Sequence, residues 1–372
     1  MSRTERQPGN AWRFGLRIIL GLGIAVWFTL TTLPYVQAQT TVPNGDPPTV
    51  IATIPLGEPF GAGTFAIAVN PRTNTIYATN PGALSSPVGL DCDSHDVSVI
   101  HGSTNTVLSP ISVGLNPFGV AVNPTTNRIY VANAGGAGFD SCSSEPSYSV
   151  SVIDGITNSV VNTITVGLGP GFVAVNPKTN KIYVTLTGGC CADGNAVAVI
   201  DGSTDTVVNT VTVDLDPFIV AVNPRTNLVY VTHAGVDKIT VIDGATDTVK
   251  ATFSIGSEAR AIAFDSNGKF VYVAARNINQ LAVVDASNNT VVQYIPVGRR
   301  PHGVVFNPAN GRIYVTNRND GTVSVIDSST RSVVAIVPVG GFPRFLDLNR
   351  RTDLLYVPNA TDASVSVIQD EE

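Results

Sequence analysis

Apolar and polar residues come in short bursts along this chain, and the bursts recur in one order. From Gly119 to Val122 the chain is almost wholly apolar, and Asn123-Pro124-Thr125-Thr126-Asn127 then forms a polar break. A second apolar run, Arg128 to Ala132, follows, then Val150 to Ile153 and Val160 to Val166. Runs this short, rich in valine and threonine and bounded by Asn, Pro and Gly, predict four β-strands with tight turns. Proline after asparagine sets φ for the first turn, and the asparagines cap it or take positive φ. Asp154-Gly155, Asp201-Gly202 and Asp243-Gly244 supply a second turn, after the third strand. No stretch of the repeat region shows a 3.6-residue apolar rhythm, so helices are not expected there.

The unit repeats seven times. Tyr77, Tyr130, Tyr183, Tyr230, Tyr272, Tyr314 and Tyr356 mark the copies at spacings of 53, 53, 47, 42, 42 and 42. Four strands per copy at a period near 42 predict an all-β fold, a seven-bladed β-propeller. The last copy stops after its third strand, Ser364 to Ile368. Thr49-Val50-Ile51-Ala52-Thr53-Ile54 reads like the outer strand Thr206-Val207-Val208-Asn209-Thr210-Val211. The N-terminal segment is therefore expected to complete the last blade and remove two open edges.

The first 38 residues stand outside the repeats. Arg3, Arg6, Arg13 and Arg17 precede an apolar run from Ile18 to Leu33, and Val36-Gln37-Ala38 offers a small-x-small cleavage signal. This pattern predicts a signal peptide over residues 1–38, with an uncleaved anchor as the alternative. Residues 39–48 read as a linker and 49–372 as the propeller. The expected location is secreted, periplasmic or cell-surface, with membrane contact only through an uncleaved leader. Losing the leader takes the formal charge from −6 to −9. An acidic chain without a basic track argues against nucleic acid as a partner.

Tyr314-Val315-Thr316-Asn317, with near copies at Tyr77-Ala78-Thr79-Asn80 and Tyr130-Val131-Ala132-Asn133, resembles the repeat of the YVTN β-propeller family, which includes YncE-like periplasmic members. The resemblance spans residues 49–369. It implies a secreted or surface-associated propeller and specifies no enzymatic activity. The final asparagine is replaced at Leu186, His233 and Ala275, so no role resting on all seven asparagines carries over.

Candidate chemistry gathers at the face where the inner strands begin. Five residues before each turn asparagine, or its equivalent, stand Phe65, Phe118, Gly171, Phe218, Arg260, His302 and Arg344. Phe60 is an alternative to Phe65. Aromatics in blades 1, 2 and 4 and cationic or titratable residues in blades 5 to 7 suggest a channel-mouth site for an anion with an apolar part. The competing reading makes the phenylalanines a channel plug and the arginines a solvated rim. His233, ending a second strand, points to the same mouth or is half-buried and hydrogen-bonded. His101 reads as a solvated turn residue.

Long insertions in the first three blades hold all four cysteines, Cys92, Cys142, Cys190 and Cys191. Disulfides are expected, as Cys92–Cys142 with vicinal Cys190–Cys191 or paired crosswise between loops. A metal site from Asp91, Cys92, Asp93, His95, Asp96 and Asp140 is the alternative, though no closed-site spacing occurs. No nucleophile elbow, zincin helix or phosphate loop is found, and no cofactor is expected. The expected function is a non-catalytic binding module for a protein, a glycan or a small anionic ligand. The alternatives are a lactonase- or lyase-type enzyme using His302 with Arg260 or Arg344, and a purely structural envelope protein.

Overall fold

A computed structural model describes residues 47–56, 63–81, 94–135, 146–188 and 194–370. The leader, the start of the linker, Phe60 and all four cysteines lie outside the described residues, as do Asp91, Asp93 and Asp140. Among the described residues every regular element is a strand. The strands form seven antiparallel sheets, each the expected blade.

Blade 3 shows the plan: Pro170–Asn176 is innermost, then come Lys181–Leu186, Ala196–Asp201 and the outer Thr206–Thr212. The two middle strands are covered on both faces by neighbouring blades, so Tyr183, Val184, Val197 and Val199 are fully buried. The outer strand alternates toward solvent. In blade 1 the outer strand is split into Thr106–Val107 and Ile111–Ser112, with Pro110, which cannot donate to a ladder, just before the second piece.

The ring closes as expected. Thr49–Pro55 pairs antiparallel with Ser364–Gln369, in register from Thr49 opposite Gln369 to Pro55 opposite Ser364. Its register skips Ile51, and the outer strands of blades 2 to 6 skip Val161, Val208, Lys250, Val292 and Val334 in the same way. A bulge at every such edge kinks it and discourages pairing with another chain.

Parts of the repeat signature fasten neighbouring blades, although the buried hydroxyls of Tyr130, Tyr230 and Tyr356 have no hydrogen-bond partner among the described residues. Tyr77 donates to Asn158 Oδ1 of the next blade at 2.6 Å, and Tyr183 donates to Asp247 Oδ1 at 3.2 Å. The turn asparagines form a second belt on that face: Asn70 donates to Asn127, Asn123 to Asn180 and Asn176 to Asn227, each at 2.7 Å. Asn349 donates to Asn74 at 2.6 Å, which carries the belt across the seam between blades 7 and 1. The accepting asparagines sit at φ between 54 and 58°, a left-handed conformation that asparagine tolerates.

Threonine has the least obvious task. The inner strand of blade 6 pairs Pro301 with Asn317 and then Val304 with Val315, so the register slips between them. Thr316 Oγ1 fills the gap by accepting from Gly303 N at 2.7 Å. It donates in turn to the Arg344 carbonyl of blade 7 at 2.5 Å. Thr185 does the same between Phe172 N, at 2.9 Å, and the Phe218 carbonyl, at 3.0 Å. One hydroxyl thus repairs a ladder and joins two blades. The final asparagine is also structural: Asn317 Nδ2 donates to Thr322 and Ser324 of the neighbouring strand.

Candidate functional site

The irregularity that needs the threonine re-aims the residues beside it toward the axis, as bulges do. Phe118, Phe218 and His302 all lie in these slipped stretches. Phe65 and Phe118 rings meet at 4.5 Å, and Phe172 and Phe218 at 5.0 Å. Phe172 of blade 3 also meets Phe345 of blade 7, 4.9 Å between centroids. Blades 3 and 7 are not neighbours in a ring of seven, so this contact crosses the axis and the channel is plugged by aromatics.

Two of the plugging rings are not at the expected positions. Gly171 carries no side chain for the plug, and Phe172, one residue later, supplies it. Phe345 likewise follows Arg344. Neither could be placed from the repeat alignment, because a register slip decides which of two successive side chains faces the axis. Phe118 and Phe218 are buried at 3% and 4% exposure and serve as floor.

Above this floor sits a cationic cluster from blades 5 to 7. Arg260 Cζ lies 4.4 Å from the Phe218 centroid, and Arg344 Cζ lies 4.6 Å from that of Phe65. Guanidinium over an aromatic face is attractive and favours a planar, fixed pose. Arg260 is not a solvated rim residue, since its side chain is only 12% exposed. Two further arginines join them, Arg276 and Arg318, each just past the end of a second strand. Their main chains bond back to Glu258 and Arg300 at the start of the inner strands. Sequence reasoning missed both; the signal was their shared place after Ala275 and Asn317 in blades whose loops are short.

Glu258 is the carboxylate in salt-bridge contact with the cluster among the described residues. Its Oε1 lies 2.5 Å from Arg260 Nη2, and Arg276 Nη1 lies 3.1 and 3.0 Å from its two oxygens. Burial, partly offset by Glu258, lowers Arg260 to about 10. Burial and then Arg318, Arg260 and Arg276 lower Arg344 to about 9. Both remain charged at neutral pH.

His302, at 3% exposure, stands among these cations with its ring 4.5 Å from Phe345, edge to face. Burial, followed by Arg344, Arg260, Arg318 and Arg276, holds its imidazole well below the ordinary value, so it is neutral at pH 7. Its Nδ1 is buried without a partner, as is Nε of each of the four arginines. Such groups are individually costly, and five in one cluster are unusual for a plain core.

His233 has no part in this cluster. Its Nδ1 bonds the Leu215 carbonyl at 2.8 Å and its Nε2 bonds Thr240 Oγ1 at 2.9 Å, which is the structural bridge that asparagine makes elsewhere. His101 bonds Thr104 and Ser103 in its exposed turn. No group of three or more metal-ligating side chains is found among the described residues, where His95 and Asp96 are exposed.

Fold and closure together define a seven-bladed β-propeller. A family model described as "Lactonase, 7-bladed beta-propeller" matches residues 244–333, less than half of the chain. The PE-PGRS family protein PE_PGRS18 of Mycobacterium tuberculosis (strain ATCC 25618 / H37Rv) is 50% identical over 64 residues, covering 17% of this chain and 11% of that protein. Among solved structures, hydrazine synthase of Kuenenia stuttgartiensis superposes with a TM-score of 0.70 at 21% identity, covering 83% of this chain and 96% of that one. At that identity the likeness is one of fold.

Proposed function

We propose that this chain is a secreted or surface-associated propeller that binds a small anionic ligand at the channel mouth without catalysis. The observation that carries this reading is the arginine cluster: four guanidinium groups against one carboxylate, with five buried nitrogens left without partners. A bound carboxylate or phosphate would supply the missing charge and acceptors. Phe118 and Phe218 would stay beneath as the floor that holds Arg260 and the ligand's apolar part in place. Export follows from the leader read in residues 1–38, and the acidic overall charge keeps nucleic acid from being the partner. YVTN-family membership, YncE-like, agrees with the tetrapeptide and its inter-blade task.

A second reading is a lactonase-type enzyme. It is favoured by the family model, whose matched span contains Glu258, Arg260, Arg276, His302 and Arg318. Neutral His302 can accept a proton from water attacking a lactone carbonyl, while Arg260 or Arg344 steadies the oxyanion.

One set of proteins separates these readings: wild type, His302→Ala and Arg344→Ala, measured for phosphate and gluconate binding by calorimetry and for hydrolysis of a lactone panel. Anion binding lost on Arg344→Ala, with no turnover by wild type, supports the binding module. Turnover lost on His302→Ala supports the enzyme. Wild type that neither binds nor turns over leaves the propeller a structural role and refutes both.

A further inference from the structure

The four arginines do not share their surroundings equally. Glu258, 8% exposed, is held by Arg260 on one side and by Arg276 through both of its oxygens on the other. The Gly235 N–H lies 3.5 Å from the same carboxylate. This is the arrangement in which two guanidinium groups receive a ligand's carboxylate, already filled by a side chain of the protein. Arg318 and Arg344 have no carboxylate within ion-pair distance among the described residues. Their charges rest on aromatic faces instead, Arg318 over Phe342 at 4.9 Å and Arg344 over Phe65. The cluster therefore has a filled half in blade 5 and an open half spanning blades 6 and 7, with the unpartnered His302 Nδ1 beside the latter.

Resting on the reading of this mouth as an anion site, we propose that Glu258 is a built-in counter-anion that reserves Arg260 and Arg276. The ligand's anionic group then seats on Arg318, Arg344 and His302, and the site selects a single compact anionic group over a ligand carrying two. A ligand with one anionic group uses the open half and leaves Glu258 in place. A ligand with two would bring its second group against the Glu258 carboxylate. That like-charge approach opposes binding. Glu258 is thus a specificity-determining residue that need not touch the ligand.

The charges that act on Arg260, His302 and Arg344 are their own and those of Glu258, Arg276, Arg300 and Arg318, while Asp320 and Asp362 on the neighbouring loops are engaged by Arg299 and Gly341 N. Removing the negative charge of Glu258 changes the balance most for the ligand whose second group it excludes.

The test is calorimetric titration of the full mature chain with inorganic phosphate and, separately, succinate. Wild type is expected to bind phosphate more tightly than succinate, and Arg318→Gln to weaken phosphate by on the order of tenfold. Glu258→Gln is expected to tighten succinate by on the order of tenfold, and by clearly more than it tightens phosphate. Equal changes for both anions, or weakening of both, overturn the proposal while leaving an anion site standing. Wild type that binds neither removes the anion site itself and the proposal with it. Glu258→Asp, which keeps the charge on a shorter arm, serves if Glu258→Gln does not fold. Its succinate-to-phosphate ratio should stay near that of wild type, and a ratio shifted strongly toward succinate would overturn the assignment.

Discussion

Thr316→Val tests whether the repeat signature holds blades together at the site. Valine keeps the volume and β-branching but removes the hydroxyl that bridges Gly303 N and the Arg344 carbonyl. Neither group can turn to water, because Thr316 is fully buried and a Cβ on Gly303 would come within 2.7 Å of that carbonyl. Two buried backbone groups left without partners cost about 1–3 kcal/mol each, so a loss of about 2–6 kcal/mol is expected. Across the roughly 320 residues of the propeller, an unfolding entropy of about 2.1 cal/mol/K per residue amounts to about 0.7 kcal/mol/K. The melting temperature should then fall by about 3–9 °C, measurable by calorimetry or near-ultraviolet circular dichroism. Thr316→Ser, which retains the hydroxyl, should recover most of the loss. The same change at Thr185, between blades 3 and 4, should cost a similar amount of stability. Thr316→Val should also weaken phosphate binding, since His302 sits on the inner strand of blade 6 and Arg344 in the segment of blade 7 that the hydroxyl ties to it. A Thr316→Val protein melting within 1 °C of wild type, or a Thr316→Ser protein no better than it, would refute the reasoning.

Other perturbations probe the seam and the plug. Asp347, on the inner strand of blade 7, accepts from Val69 N of blade 1 and from Leu348 N, both at 2.8 Å, and burial raises it to about 6. A carboxyl whose folded value lies above its ordinary one favours the protonated folded state. The stability that Asp347 itself contributes is therefore fullest below about pH 4 and falls by at most about 3 kcal/mol as the pH rises through about 6. Asp347→Asn lacks this dependence, so its melting temperature should gain on wild type by up to about 4 °C between pH 4 and pH 7; a constant difference across that range contradicts the assignment. Phe172→Ala removes the ring that meets Phe345 across the axis and should cost about 3–5 kcal/mol, read as a lower urea midpoint. A midpoint equal to that of wild type would show that the plug is not packed as described.

The legible part of this protein is the part that repeats. Period, turn chemistry and the orphan outer strand at Thr49–Ile54 predicted seven blades and their closure, because each is a local pattern that recurs and checks itself. Arg260, His302 and Arg344 were also found by alignment, since they stand at one repeated position. Phe172, Phe345, Arg276 and Arg318 were not. Which of Gly171 or Phe172 reaches the axis depends on a one-residue slip in the inner ladder, and the repeat text is silent on that.

Composition and spacing alone thus determined the ring: short β-runs that cannot bury both faces alone must stack, and an unpaired edge at each end must find the other. Only the folded chain decided what the mouth contains. Residues 258, 276, 318 and 344 come from three blades, and neither the pairing of Glu258 with two of the arginines nor the open half left to the others exists until blades 5, 6 and 7 are set side by side. Charge at a site is a sum over neighbours in space, and sequence order does not carry that sum.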